Sequence, residues 1–246
     1  MGKRLTSQRR GRGGPRYKVP SHRFEGGVRY PTFAQYPEGI GGQIIDITDD
    51  AARTAPVAKV LLEDFKEIRL IAPEGMKVGQ WIIIGEKAKG GDGDVMPLGK
   101  IKEGTSVYSI ELRPGDGGKI VRASGTSASI VSHDKAAGIT YVRLPSKKTV
   151  ALSSNARATV GKVAGGGRME KPMVRAGQAF YKHAARNKRY PRVRGVAMNA
   201  CNHPHGGGSH GFTGRPSSVA RNTPPGRKVG HIAPKRTGRL KRYNRK

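Results

Sequence analysis

Two histidines just ahead of a glycine run offer the most distinctive chemistry in this chain. His203 and His205 lie in the stretch NHPHGGG, residues 202–208. An imidazole ring can donate or accept hydrogen bonds, stack on an unpaired base, or act as a general base near neutral pH. Glycine permits positive φ and lets the backbone approach a phosphate or sugar closely, and Pro204 lowers the cost of ordering the loop. The stretch therefore predicts a close contact with nucleic acid.

Three other interpretations of these histidines are open at the level of sequence. With Cys201 and His210 they form a candidate metal-ligand set for an RNA-processing enzyme, but the Cys-x-His-x-His spacing differs from the paired spacings of zinc ligands. His203 is a candidate general base, although its neighbour Asn202 is neutral and cannot raise the imidazole pKa by charge. The third interpretation is a polar loop with no special chemistry, since glycine-rich runs are often only flexible linkers. The spacing disfavours a metal site. No serine or cysteine lies in a nucleophile elbow, which disfavours a catalytic residue. We therefore expect no metal site and no catalytic residue, and hence a protein that is not an enzyme.

The charge of the chain is concentrated at its two ends. The net charge is +30, of which residues 166–246 carry +19, with 20 Lys and Arg side chains against one carboxylate, that of Glu170. Residues 1–34 carry +8, whereas 35–84 carry −3 and 85–165 carry +6. The two basic ends have too few large apolar residues to fold alone and need a polyanion, usually nucleic acid. They are therefore predicted to be long extended arms that become ordered on binding. Nonspecific nucleic-acid compaction is therefore an alternative function.

Short β-branched runs separated by turn residues fill the middle of the chain and predict two small β-barrels. Strands of the first barrel are predicted at 43–48, 57–62, 68–72 and 80–84. Strands of the second are predicted at 107–112, 119–123, 129–132, 140–144, 149–152 and 158–163. Trp81 lies in an apolar run and is predicted in the core. One short helix is predicted over 175–186, and the glycine-rich stretch 90–94 is predicted to be a linker or flexible loop.

Several other classes of protein are disfavoured. The single cysteine, Cys201, excludes an intramolecular disulfide. The longest apolar run, residues 81–84, is far shorter than the roughly 18 residues of a membrane span, and no apolar stretch follows the basic N-terminus as in a signal peptide. No phosphate-binding loop motif is present, and the calcium-loop-like stretch 92–103 has Pro97 where glycine is required. We therefore expect an intracellular protein without membrane contact.

Several stretches carry a family resemblance. Residues 194–208, RGVAMNACNHPHGGG, resemble the signature of the universal large-subunit ribosomal protein L two family, and we call them the signature stretch. Residues 36–47, 109–134 and 153–167 are similar to barrel segments of that family, so the likeness covers most of the chain. The tail from residue 211 resembles the archaeal and eukaryotic cytosolic branch. One departure is Asn202, because many members have aspartate before this histidine.

The resemblance implies an all-β fold with little helix and four regions. These are a basic N-terminal arm (1–34), an OB-like barrel (35–84), an SH3-like barrel (85–167) and a basic C-terminal RNA-binding extension (168–246). The implied function is that of a structural constituent of the large subunit that binds its rRNA, supports assembly and subunit association, and shapes the surroundings of the peptidyl transferase and tRNA sites. Implied partners are rRNA, neighbouring ribosomal proteins and the small subunit at a bridge. The implied location is the cytoplasmic ribosome, with no cofactor beyond structural Mg²⁺ or other ions shared with rRNA.

Basic and aromatic residues alternate in both arms, which suits phosphate contacts combined with base stacking. Predicted rRNA-binding residues of the N-terminal arm are Arg9, Arg10, Arg12, Arg16, Tyr17, His22 and Arg23. Those of the C-terminal extension are Arg168, Lys171, Arg175, Lys182, Arg186, Lys188, Arg189, Tyr190, Arg192, Arg194, Asn199, Asn202, His203, His205, Gly206, Gly207, Gly208, Arg215, Arg221, Arg227 and Lys228. For residues 235–246, RNA binding and disorder are both open.

Overall fold

The computed structural model describes residues 2–238, and the last part of the predicted C-terminal extension, 239–246, lies outside them. The chain divides into two compact units. The barrel unit comprises Pro20–Arg175, and the tail unit comprises the described parts of Met1–Val19 and Ala176–Lys246. Strands dominate and helices are short, which confirms the predicted all-β class with two small barrels.

The barrel unit is built on one ten-stranded sheet in the order β3-β2-β1-β4-β5-β10-β6-β7-β8-β9. Its first strands are β1 (Ile40–Thr48), β2 (Val57–Leu62), β3 (Glu67–Ile71), β4 (Trp81–Ile84) and β5 (Val95–Pro97). The remaining strands are β6 (Ser106–Tyr108), β7 (Ala128–Asp134), β8 (Ile139–Arg143), β9 (Thr149–Ser153) and β10 (Arg157–Val160). Within this sheet, β4 and β5 are the one pair that runs parallel, and β10 then joins β5 to β6 by antiparallel pairing. This junction links the OB-like strands to the SH3-like strands.

Each half of the sheet encloses an apolar core, because alternate side chains of its strands point inward. The first core includes Ile44 and Ile82, and the second includes Leu98 and Ile130. A third, smaller cluster joins the two halves around Tyr108, whose hydroxyl donates a hydrogen bond to the carbonyl oxygen of Ile71 at 2.9 Å. The two barrels are therefore packed against each other through shared buried side chains.

The end of the predicted N-terminal arm is part of this core. Val28 and Tyr30 are buried. The Tyr30 hydroxyl donates to the carbonyl oxygen of Ser109 at 2.7 Å and lies 2.6 Å from the hydroxyl of Thr159, and burial raises the pKa of Tyr30 to about 12. The expectation of an extended arm is therefore wrong for this segment, because Val28 and Tyr30 pack into the barrel core.

A buried ion pair fixes the same segment from the other side. Arg157 and Glu111 are both almost inaccessible, and their side chains meet at 2.9 Å. Arg157 also donates to the carbonyl oxygen of Pro31 at 2.7 Å and packs 4.1 Å from the ring centroid of Phe33. Backbone amides, including that of Gly117 at 2.9 Å, complete the shell of the Glu111 carboxylate. A buried pair with its polar atoms satisfied in this way holds the N-terminal segment in one position.

The strand predictions differ from the structure in three places. The predicted strand at 119–123 forms only an isolated bridge between Ile110 and Ile120, and the strand predicted at 107–112 ends at Tyr108. Positive φ at Ser109 (49°) and Val121 (55°) interrupts both runs. Strand β5 was missed, because it directly follows the glycine-rich stretch 90–94.

The prediction that Trp81 lies in the core is wrong, because its side chain is 59% exposed. Ile82 and Ile84 face the core, and the alternation of the strand turns Trp81 outward, opposite Gln43 on β1. A continuous apolar run conceals this alternation.

The tail unit contains two helices, α1 (Thr6–Gly11) and α2 (Ala176–Ala184), and two short parallel strands, β11 (Ser218–Val219) and β12 (His231–Ile232). Helix α2 confirms the helix predicted over 175–186. Helix α1 lies in the segment predicted to be extended, and the side chain of Gln8 stabilises its first turn by accepting a hydrogen bond from the Leu5 amide at 2.8 Å. Within residues 2–238, none of the helices has the length and apolar character needed to cross a bilayer.

Candidate nucleic-acid interface

The tail unit has an extreme charge composition. The sequence segments that form it, 1–19 and 176–246, contain 24 Lys and Arg residues and no Asp or Glu. The barrel unit contains 23 Lys and Arg against 17 carboxylates. A compact cationic unit without carboxylates repels itself and attracts a polyanion. The best candidate for a nucleic-acid interface is therefore the tail unit.

The two ends of the chain come together within this unit. The backbone amide of Lys3 donates to the carbonyl oxygen of Cys201 at 2.7 Å, and the guanidinium of Arg189 donates to the hydroxyl of Thr6 at 2.6 Å. The N-terminal segment thus lies beside the signature stretch. Sequence reasoning treated the two arms separately and missed Arg4, whose only local signal is that it belongs to a basic segment.

Helix α2 presents aromatic rings next to cations. None of its residues is buried, and Phe180 and Tyr181 are 50% and 74% exposed. The Nδ1–H of His183 donates to the carbonyl oxygen of Ala179 at 2.6 Å. The His183 ring stacks on that of Tyr190, with ring centroids 5.1 Å apart. Exposed rings beside phosphate-binding cations are a common arrangement for single-stranded RNA, whose bases can stack on them.

The signature stretch forms a tight, internally hydrogen-bonded loop. It begins with a short 3-10 turn, Gly195–Ala197. The amide of His203 then donates to the carbonyl oxygen of Asn199 at 3.3 Å, and the amide of Gly207 donates to that of Met198 at 2.9 Å. These hydrogen bonds give the loop a defined conformation, so it is not a flexible linker, and a polar loop with no special chemistry stays an alternative.

The glycines of this loop are needed because side chains at their positions would clash with other parts of the loop or would be strained. A Cβ atom on Gly206 would clash with the carbonyl oxygen of Asn199, and one on Gly195 would clash with the ring of His203. Gly207 and Gly208 adopt a φ of +85°, which favours glycine. The sequence-based reason for the glycines, close approach to a phosphate, stays a prediction, whereas these internal contacts already require small residues.

His203 is held as a neutral ring. Its Nδ1 accepts a hydrogen bond from the His205 amide at 3.1 Å. Partial burial, and secondly the neighbouring His205, lower the pKa of His203 below its ordinary value of 6.5. With Nδ1 acting as acceptor, the proton of the neutral ring is on Nε2. The ring therefore has one N–H donor available to a partner.

The geometry gives no support to the metal-enzyme alternative. Cys201 is a half-buried free thiol. Across residues 2–238, no three His, Cys, Asp or Glu side chains are grouped as ligands of a metal ion. The candidate ligands Cys201, His203, His205 and His210 are therefore not assembled into a metal site.

The predicted binding residues are distributed over both units. The barrel unit carries His22, Arg23, Arg168, Lys171 and Arg175, which are all exposed. The tail unit brings together the others, and every cation among them is at least partly exposed. Arg9 and Arg10 lie on α1, Lys182 lies on α2, and Lys228 donates to the Arg221 carbonyl oxygen at 2.5 Å.

Two family models match the chain. Residues 2–84 match the model described as Ribosomal Proteins L2, RNA binding N-terminal domain, and residues 91–228 match Ribosomal Proteins L2, C-terminal domain. The chain belongs to the ribosomal protein L2 family. This confirms the resemblance read from the signature stretch.

Curated L2-family relatives are similar over nearly their whole length. The protein of Methanococcus vannielii named large ribosomal subunit protein uL2 is 52% identical over 242 residues, covering 97% of this chain and 100% of the relative. The uL2 proteins of Hyperthermus butylicus and Methanothermobacter thermautotrophicus are each 51% identical, covering 98% and 97% of this chain and 100% and 99% of the relatives. All three organisms are archaea, which fits the predicted archaeal and eukaryotic branch. Because L2 is a family of structural proteins, the prediction that the chain is not an enzyme is confirmed.

Proposed function

We propose that the protein is a structural constituent of the large ribosomal subunit and that its tail unit makes most of its contacts with rRNA. Membership of the L2 family carries the first part and confirms the predicted role in translation and in the ribonucleoprotein, at the cytoplasmic location of archaeal ribosomes. Its partners there are rRNA and other ribosomal proteins.

The single observation behind the second part is the charge of the tail unit. The sequence segments that form it contain 24 Lys and Arg residues and no Asp or Glu, so no internal ion pair with an Asp or Glu side chain can offset their repulsion. Among described residues, Leu5 is its one buried hydrophobic side chain. Apolar burial is the main term that opposes chain entropy in folding. The unit therefore has little to stabilise its compact form by itself, and we propose that bound RNA supplies that stability.

In this proposal the cations predicted in both arms contact phosphates, and the signature stretch supplies a specific contact through the Nε2–H of His203. The domain bounds of this proposal are barrels at 35–84 and 85–167, flanked in the sequence by arms at 1–34 and 168–246. A bridge contact with the small subunit belongs to the proposal too, as do Mg²⁺ ions shared with rRNA, which screen phosphates beside the arms.

The test is binding to a large-subunit rRNA fragment as a function of salt. If about ten phosphates are neutralised, log K should fall against log[salt] with a slope of about −7 to −9. An unrelated RNA of equal length is the control. Equal affinity for both RNAs would favour nonspecific compaction, and a slope near zero would contradict an electrostatic interface.

A further inference from the structure

We propose that a pocket between the N-terminal segment and the signature stretch receives a single extruded nucleotide of the rRNA. This inference rests on the proposed function, because it names the chemical unit that the tail unit recognises. It also assigns a role to the first residues of the chain, which the signature stretch alone does not reveal.

The pocket is a partly open concavity of about 300 Å³ within the tail unit. Arg4 and Arg9 line it from the N-terminal segment, and Arg189 lines it from the chain after α2. The hydrogen bond from Arg189 to Thr6 and that from Lys3 to Cys201 hold the two sides together. Residues nearly two hundred positions apart in the sequence thus form one concave surface.

The charge of the lining selects an anion. Among the ion pairs of residues 2–238, none joins Arg4, Arg9 or Arg189 to a carboxylate. Arginine presents a planar set of donors that matches phosphate oxygens, often two at a time. Three such groups around one concavity favour a phosphodiester over a neutral ligand.

The rest of the lining indicates that more than a phosphate enters. Val193 and Met198 add apolar surface, and Asn202 adds an amide that can both donate and accept hydrogen bonds. Apolar side chains pack on the face of a base, whereas an amide reads its edge. Neither would be needed for a bare phosphate.

The size of the pocket limits the occupant to one residue of RNA. Its volume lies at the lower end of the roughly 300–1,000 Å³ typical of small-molecule sites. A run of stacked bases would not fit, whereas one base turned out of its stack would. The inference also gives the Asn202 position a role in recognition that does not depend on charge.

The experiment uses the full chain and a large-subunit rRNA fragment that it binds. Val193→Trp fills the pocket without changing charge, and Val131→Trp, at a β-strand site of similar exposure (46% against 50%), is its control. Loss of a base contact is expected to weaken binding by about tenfold, with the salt slope unchanged. Acylation of 2′-hydroxyls should show one nucleotide that the wild type protects and Val193→Trp leaves reactive.

A second pair of variants guards against a folding defect in Val193→Trp. Arg4→Gln and Arg12→Gln each remove one exposed cation from the N-terminal segment, and each should reduce the salt slope by about one. Only Arg4→Gln is expected to expose the same nucleotide as Val193→Trp. If no single nucleotide responds, or if Val193→Trp binds like Val131→Trp, the pocket is not a nucleotide site. If the wild type shows no salt-dependent preference for rRNA, the proposed function itself fails.

Discussion

The two units of this protein reach a compact form by different means. The barrel unit has three apolar clusters, and its 23 Lys and Arg residues are accompanied by 17 carboxylates. The tail unit has one buried apolar side chain within its described residues, Leu5, and no carboxylate. The difference teaches that the barrel unit contains its own stabilising interactions, whereas the tail unit has few of them, and this contrast is the basis for proposing that RNA stabilises it.

The largest effect is expected in the barrel unit, at its buried ion pair. Glu111→Gln leaves the guanidinium of Arg157 buried without a countercharge, which should lower the free energy of unfolding by about 3–5 kcal/mol. Urea unfolding followed by fluorescence measures it. Glu38→Gln, which removes an exposed partner of Lys87, is the control and should change little. Equal effects of the two variants would show that the barrel does not depend on this pair.

The second prediction concerns the tail unit without RNA. Its backbone amides should exchange with solvent much faster than those of β1 or β8, because little apolar area is buried there. Adding the rRNA fragment at 100 times its Kd should slow exchange in the tail unit by about a hundredfold. Hydrogen exchange with mass spectrometry measures both. Tail amides that are as protected as barrel amides before RNA is added would remove the contrast between the units.

The third prediction tests whether the signature stretch is preorganised. Gly195→Ala places a Cβ against the ring of His203, and the displaced ring should reduce affinity for the rRNA fragment by about tenfold. Gly14→Ala is the matched control, since its Cβ would meet no atom within 4 Å and its φ is −59°. Filter binding at one fixed salt concentration compares the variants. An unchanged affinity for Gly195→Ala would mean that the ring position does not matter for binding.

The smallest effect is expected from pH. Because the pKa of His203 is lowered from 6.5 in the folded loop, folding disfavours the protonated ring. The stabilising contribution is therefore present above pH 6.5 and is lost as the pH falls through the folded pKa. Titration of the imidazole signals by NMR should give a lower pKa for His203 in the wild type than in Gly195→Ala. A value above 6.5 in the wild type would contradict the neutral ring.

The sequence predicted the parts of the fold that depend on local patterns. Strand β2 and helix α2 follow from alternation and from helical spacing, so both were found close to their observed bounds. The sheet junction at β5 and the outward side chain of Trp81 depend on long-range pairing, which no local pattern records. The same holds for Arg157, whose position beside Pro31 joins residues 126 apart in the sequence.

The candidate site divides in the same way. Composition located the cations and the signature stretch, because charge and glycine content are local properties. It did not reveal that Gly195 lies against the ring of His203, because that contact depends on the folded loop. Nor did it reveal that Arg4 and Asn202 line one pocket, because that arrangement exists only after the two ends of the chain meet.

That meeting of the ends has a consequence for the order of synthesis. Lys3 leaves the synthesising ribosome long before its partner residue Cys201 has been made. The strands of the barrel unit are complete at Val160, so that unit can fold while the chain is still growing. The tail unit cannot, and a chain interrupted before Cys201 lacks the contact that positions its first residues. Synthesis must therefore reach Cys201 before the chain can present the proposed RNA-binding surface in which Lys3 and Cys201 are joined.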